Sequence, residues 1–129
     1  MILVDTSVWI DYFRGANREL TAHLQALLED DKVALAIPVK IEILSGSSAK
    51  DRTRLQRVLQ ALPILIPAQA TWERMEAWTE KAGANGERFG VVDLLIAALA
   101  AEGDMPLWSH DADFRRMKKL GFIRLHSHA

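Results

Sequence analysis

The segment Val91 to Ala101 carries ten apolar residues and one carboxylate, Asp93. A helix over it is apolar on every side, so it belongs in an interior with other elements packed around it. Its alanines allow a sheet or a second helix to approach closely. The stretch is far too short to cross a bilayer, so no membrane association is expected. Asp93 stands between Val91-Val92 and Leu94-Leu95, a costly place for an unpaired charge. The chain must therefore build a core around this helix and find a use for its one acid.

A length of 129 residues predicts one domain, 1–129, that hides roughly two thirds of the surface its unfolded form would expose. Half the residues are apolar and 26% are charged, which excludes a disordered tail. With no cysteine there is no disulfide framework, zinc-thiolate site or thiol nucleophile, which suits a reducing cytoplasm. The N-terminus enters Met1-Ile2-Leu3-Val4-Asp5 with no basic region and no cleavage site, so no signal peptide is expected.

Short apolar runs alternate with helical stretches. Ile2-Leu3-Val4, Val33 to Ile37, Ile64-Leu65-Ile66, Met105 to Trp108 and Phe122 to Leu125 read as strands, the third placed near a sheet edge by Pro63 and Pro67. Helices are predicted over Val8 to Phe13, through Leu20, Leu24, Leu27 and Leu28, from Pro38 to about Leu44, through Leu55 to Leu62, along the Trp72, Met75, Trp78, Ala82 face, from Asp93, and over Asp111 to Leu120. Gly83 to Gly90 reads as a loop. The alternation defines an α/β fold with a mainly parallel central sheet of about five short strands and helices on both faces.

Four acids fall at informative points. Asp5 ends the first strand, Glu42 lies in the helix after the second, Asp93 opens the apolar helix, and Asp111 follows the fourth strand with Asp113 two residues on. Open α/β sheets bind ligands outside the carboxyl ends of their strands, and all four can reach that edge despite separations of 37, 51 and 18 positions. Asp5, Asp93 and Asp111 could each instead cap a helix. Glu42, among the apolar neighbours of Val39-Lys40-Ile41-Glu42-Ile43-Leu44, is harder to assign that way, since glutamate is rarely buried unpaired. Carboxylates sharing a pocket repel, and a hard dication relieves them. Oxygen donors with no cysteine select Mg²⁺ or Mn²⁺, and such pockets serve phosphodiester chemistry.

At these residues the chain resembles a known family. The opening Met1-Ile2-Leu3-Val4-Asp5-Thr6-Ser7-Val8-Trp9-Ile10-Asp11, then Glu42 with Leu44 and Gly46, Asp93-Leu94-Leu95-Ile96-Ala97-Ala98, and Trp108-Ser109-His110-Asp111-Ala112-Asp113-Phe114 resemble the PIN-domain ribonucleases, and within them the VapC toxins of bacterial type II toxin–antitoxin pairs. The similarity covers essentially the whole chain. It implies a Mg²⁺- or Mn²⁺-dependent endoribonuclease toxin that cuts RNA, is held inactive by a VapB-type antitoxin, and forms homodimers and toxin–antitoxin hetero-oligomers.

The family's acidic quartet falls on Asp5, Glu42, Asp93 and Asp111, its hydroxyl after the first acid on Thr6 or Ser7, and its hydroxyl before the fourth on Ser109. Asp113 matches a position often acidic, as a further or alternate ligand. The expected scheme puts the principal ion on Asp5, Asp93 and Glu42, with Asp111 at a second. Two departures are His110, where a basic residue such as Arg is common, and Val92, where Ala is common.

A net charge of -1 excludes a uniformly basic nucleic-acid coat but permits local patches. Of two basic clusters, Lys50, Arg52, Arg54, Arg57 and Arg115, Arg116, Lys118, Lys119, the second directly follows Asp111 and is the better RNA contact, against a solvated helix face as the plain alternative. The Trp72/Met75/Trp78 stripe reads as core or subunit interface rather than a stacking platform. His126 and His128 form a terminal His-x-His to which metal binding is assigned little weight. A dinucleotide-binding turn is excluded, because Asp5 to Trp9 contains no glycine. A phospho-receiver would need paired acids after the first strand. A non-catalytic metal-dependent binding module of the Asp-x-Ser-x-Ser type fits Asp5 and Ser7 but meets Trp9 instead of a second serine. A PIN nuclease of RNA processing is the alternative within the fold.

Overall fold

The computed structural model describes residues 1–127; His128 lies outside them. Its elements run β1 (Ile2–Val4), α1 (Thr6–Arg14), α2 (Arg18–Glu29), β2 (Val33–Ala36), α3 (Ile37–Ser45), α4 (Ala49–Gln60), β3 (Ile64–Leu65), α5 (Gln69–Ala84), α6 (Val91–Glu102), β4 (Leu107–Trp108) and α7 (Ala112–Lys119). The strands form one parallel sheet in the order β3-β2-β1-β4, with Leu3 opposite Ala34 on one side and Leu107 on the other. Consecutive residues of a strand face opposite sides, so the complete burial of Val33, Ala34, Leu35 and Ala36 means that both faces of the sheet are covered.

Four strands stand where about five were expected. Phe122 to Leu125 pairs with β4 through a single parallel bridge, Leu107 to Leu125, held by Leu107 N–H to Arg124 carbonyl (2.9 Å) and His126 N–H to Leu107 carbonyl (2.8 Å). β4 is itself two residues long and offers no longer ladder. The edge position of β3, predicted from its flanking prolines, is observed.

The apolar segment becomes α6, with Leu94, Ile96, Ala97, Ala98, Leu99 and Ala100 buried. Each large aliphatic side chain so buried contributes about 1.5–3 kcal/mol relative to exposure. The helix begins two residues before Asp93, and its first turn emerges from the core, with Val91 67% and Val92 46% exposed. Asp93 therefore lies where the buried helix meets the surface. α1 follows β1 directly, with Trp9 fully buried and stacked on Phe13 at 5.6 Å, and it stops at Gly15, whose φ of 67° lets its N–H reach the Asp11 carbonyl. On α5, Met75 and Ala82 are core and Trp78 stacks on Phe122 at 4.4 Å, while Trp72 is 42% exposed.

Candidate active site

The strand order fixes where a site can form. From β1 the chain steps to β2 on one side, and β4 later inserts on the other, so the order reverses between β1 and β4. At such a switch point the loops after adjacent strands diverge and leave a crevice. Asp5 follows β1 and Ser109 follows β4, and the Ser109 hydroxyl donates to Asp5 Oδ2 at 2.7 Å. Ser7 Oγ donates to the same oxygen at 3.1 Å. Asp5 makes no side-chain capping bond to α1, so the capping alternative fails here; the residue is 7% exposed and its carboxylate is bonded to the two serines. The serines in turn hold the β4–α7 loop. Ser7 Oγ accepts from His110 N–H (3.1 Å) and Ser109 Oγ from Asp111 N–H (3.0 Å).

Asp93, Asp111 and Asp113 each bring one carboxylate oxygen to a common point, all three within 4.8 Å of one another. Asp111 also caps α7, accepting from Asp113 N–H through Oδ1 at 2.9 Å, so for this residue both roles coexist. Asp93 does not cap α6, whose N-cap is Gly90. Burial first, then the charges of Asp111, Asp5 and Asp113, push the Asp93 carboxyl up to about 6. Repulsion among these acids is thus built in. The N-termini of α1, α6 and α7 meet at this edge, and their dipoles favour negative charge there.

Glu42 stands apart from that trio. It accepts from Thr6 Oγ1 at 2.9 Å and lines a cleft of about 320 Å³ with Ile10, Phe13, Arg14 and Arg54. The burial expected of it from its apolar neighbours is not found: α3 buries Val39 and Ile43, one helical turn apart, and turns Ile41 and Glu42 outward. The geometry therefore centres on Asp93, Asp111 and Asp113, with Asp5 beside them under two hydroxyls and Glu42 tied in through Thr6.

Arg116, expected at the RNA, is engaged elsewhere: its guanidinium pairs with Asp113 and Glu87 and lies 4.9 Å from the Phe89 ring centroid. Arg115 and Lys118 are exposed. Two residues went unassigned in the sequence. Asp11 binds His110 Nε2 at 2.9 Å, and its signal is its position four residues after Ser7 on the same face of α1. Glu87, in the glycine-rich loop, carried no signal short of the fold.

Three clustered oxygen donors, no sulfur and a carboxyl raised by burial and then by its neighbours' charges fit a hard dication, which would relieve the repulsive part of that shift. A dication must displace the Asp93 proton, so affinity should rise with pH up to about 6 and level off above. Without metal the sign for folding is opposite. A carboxyl harder to ionise folded than unfolded costs stability as pH climbs from the ordinary aspartate range through about 6. Calorimetric Mn²⁺ titrations between pH 5 and 8 check the first statement; affinity independent of pH there would contradict it.

A parallel α/β sheet with acids gathered at its switch point defines an acidic ligand-binding crevice of the kind that can hold a cation. The PIN domain family model matches residues 2–120, and the chain belongs to that family. It is 35% identical over 119 residues to Ribonuclease VapC11 of Mycobacterium tuberculosis, covering 88% of this chain and 89% of that one, and 34% identical over 117 residues to Ribonuclease VapC32 of the same organism, covering 86% and 85%. The fold is that of VapBC-1 from nontypeable Haemophilus influenzae (TM-score 0.78, 19% identity, 98% of both chains) and of VapBC2 from Rickettsia felis bound to a DNA fragment from their promoter (TM-score 0.76, 20% identity, 98% of both chains).

Proposed function

We propose that this chain is a divalent-metal-dependent endoribonuclease toxin, a VapC-type protein that hydrolyses RNA phosphodiesters and is neutralised by a VapB-type antitoxin. The observation that carries the chemistry is the convergence of Asp93, Asp111 and Asp113 beside a buried Asp5. The relatives named as VapC ribonucleases and the neighbours titled VapBC supply the biological setting. We read residues 1–129 as one nuclease domain, acting in the cytoplasm where RNA and antitoxin are met, as a homodimer and in toxin–antitoxin hetero-oligomers.

Mg²⁺ or Mn²⁺ held by these acids would neutralise charge on the phosphate and lower the pKa of a water for in-line attack. Asp93, Asp111 and Asp113 offer oxygens to the ion, and Asp5 and Glu42 complete the acidic rim. Ser7 and Ser109, donating to Asp5, keep its carboxylate oriented. Thr6 does the same for Glu42. Because Ser109 also accepts from Asp111 N–H, one hydroxyl sets two of the acids at once. Ser109→Ala is expected to reduce metal-supported cleavage by roughly 10–100-fold, as loss of an orienting partner does elsewhere, with little change in folding. Activity within twofold of wild type would remove Ser109 from the scheme.

Arg115 and Lys118 are the cations offered to the RNA backbone. Replacing both by Ala should flatten the slope of log affinity against log salt by about 1–2, roughly 0.7 for each single-strand phosphate left without its cation. Arg116→Ala should not act in that way, since its charge is committed to Asp113 and Glu87. The test of the function is cleavage of total RNA by the purified protein. It is expected with Mn²⁺ or Mg²⁺, to stop in EDTA, and to stop on adding an antitoxin encoded beside the gene. Cleavage that persists in EDTA would refute the metal-dependent reading.

A further inference from the structure

Of the two basic runs in the sequence, the one on α4 (Lys50, Arg52, Arg54, Arg57) has no part in the site described above. The fold singles out one of its members. Arg54 lines the cleft of about 320 Å³ that also holds Glu42, and Arg14 joins it from the last turn of α1. Two acids share this cleft, Glu42 and Asp51, yet no ion pair forms across it. Glu42 accepts from the Thr6 hydroxyl at 2.9 Å, and Asp51 from the Ser48 hydroxyl at 3.1 Å. Among the described residues Arg116 and Arg124 are paired with carboxylates, and Arg14 and Arg54 are not. Arg54 stands instead over the Phe13 ring, 5.8 Å from its centroid. Both guanidiniums are exposed. Arginine is weakly hydrated and its planar fork matches phosphate, so two of them without counter-ions in one cleft are a place for an anion.

We propose that this cleft is a substrate subsite, in which Arg14 and Arg54 hold a backbone phosphate of single-stranded RNA next to the scissile one. The proposal rests on the nuclease function proposed above. Glu42 belongs both to the acidic rim and to the cleft, so a strand whose scissile phosphate lies at the acids continues into it. A cleft of about 320 Å³ is at the small end for ligand sites; it suits one unstacked nucleotide and excludes a duplex. The uncommitted charge is cationic, while both acids are already hydrogen-bonded, so the favoured occupant is a polyanion. The strand order sets the direction of the path. α7 follows β4 on one side of the switch point, and the cleft between α1, α3 and α4 is reached from β1 and β2 on the other. RNA crossing the carboxyl edge then meets Arg115 and Lys118 on one flank of the acids and Arg14 and Arg54 on the other. Cations on both sides counter the repulsion between the acids and the incoming phosphodiester.

The test measures binding of a labelled single-stranded RNA by fluorescence anisotropy over a salt series, with Ca²⁺ on the carboxylates, and cleavage of the same RNA with Mg²⁺. Arg14→Gln and Arg54→Gln should each lower the slope of log affinity against log salt by about 0.7, and weaken binding about fivefold at roughly 0.1 M salt. KM should rise by the same factor with kcat held, as for a contact made equally in ground and transition states. Arg54→Lys should restore the slope, because a point charge is enough to release a counter-ion. Lys32→Gln, at an exposed cation before the amino end of β2, should change neither quantity. Wild-type slopes in both arginine variants, or a fall in kcat with KM unchanged, would overturn the proposal. So would wild-type slopes combined with lost neutralisation by the antitoxin, which would give the cleft to the protein partner. If a variant does not fold, ultraviolet crosslinking of RNA to wild type decides: adducts on the α1 and α4 peptides carrying Arg14 and Arg54 are expected, and adducts confined to α7 would refute the subsite. Binding is read whether or not the RNA is cut, so a chain that binds through the cleft without cleaving fails only the nuclease reading.

Discussion

Asp93→Asn is expected to remove metal-supported RNA cleavage, lowering kcat/KM by about a thousandfold or more, because loss of one ligand forfeits several kcal/mol of transition-state stabilisation. The same change should stabilise the protein without metal. At pH 8 the wild-type carboxylate is ionised against burial and against Asp111, Asp5 and Asp113. Asparagine keeps the shape and drops the repulsion. Thermal melts in EDTA at pH 8 should therefore show a higher midpoint for the variant, and melts with Mn²⁺ should show the order reversed. A variant less stable than wild type in EDTA would mark Asp93 as a structural acid. An opposed response of activity and stability is the signature of a carboxylate placed for an ion.

Trp9→Ala has the largest expected effect on folding. Trp9 is fully buried at the base of α1, stacked on Phe13 and edge-on to Tyr12 at 5.8 Å. Deleting a buried indole costs about 3–5 kcal/mol, a large part of the 5–15 kcal/mol that holds a domain together. The melting midpoint should fall by roughly 10–25 °C. Trp9→Phe should be far milder, because the indole Nε1 has no hydrogen-bond partner among the described residues and phenylalanine removes that buried unpaired donor along with some area. If Trp9→Phe is as damaging as Trp9→Ala, neither the retained ring area nor relief of the unpaired donor offsets the loss of the indole, and this account of Trp9 is wrong. α1 also carries Ser7 and Asp11, which hold His110, so weakened packing at Trp9 reaches the site through that helix.

Where a residue's role is set by its own neighbours in sequence, the sequence was enough. The apolar run after Asp93 gave α6, the uninterrupted Ile2-Leu3-Val4 gave a strand covered on both faces, and Pro63 and Pro67 placed β3 at the edge. The meeting of acids at one edge followed from the carboxyl-end rule. Elsewhere the outcome depended on partners the local pattern does not encode. Whether Phe122 to Leu125 is a strand or a bridge is decided by how much of β4 is there to pair with. Whether Glu42 is buried depends on which side of α3 meets the sheet, and a short helix apolar on several sides does not specify that. Arg116 shared a basic run with Arg115 and Lys118, and only the arrival of Glu87 and Phe89 from the preceding loop separates it from them. Asp113, considered as a further or alternate ligand, lies within the group, because Asp111 caps α7 and the first turn of that helix brings both carboxylates toward Asp93.

The central claim, that acids far apart in sequence share a dication, is tested most directly by Mn²⁺ binding measured at pH 7.5 for wild type, Asp5→Asn, Glu42→Gln, Asp93→Asn and Asp111→Asn. The account predicts at least one ion per wild-type chain, with affinity cut sharply by Asp93→Asn and Asp111→Asn and lowered by Asp5→Asn, since these charges act on one another. Wild type that binds no Mn²⁺ at millimolar concentration, or Asp93→Asn and Asp111→Asn variants that bind it undiminished, would contradict the account.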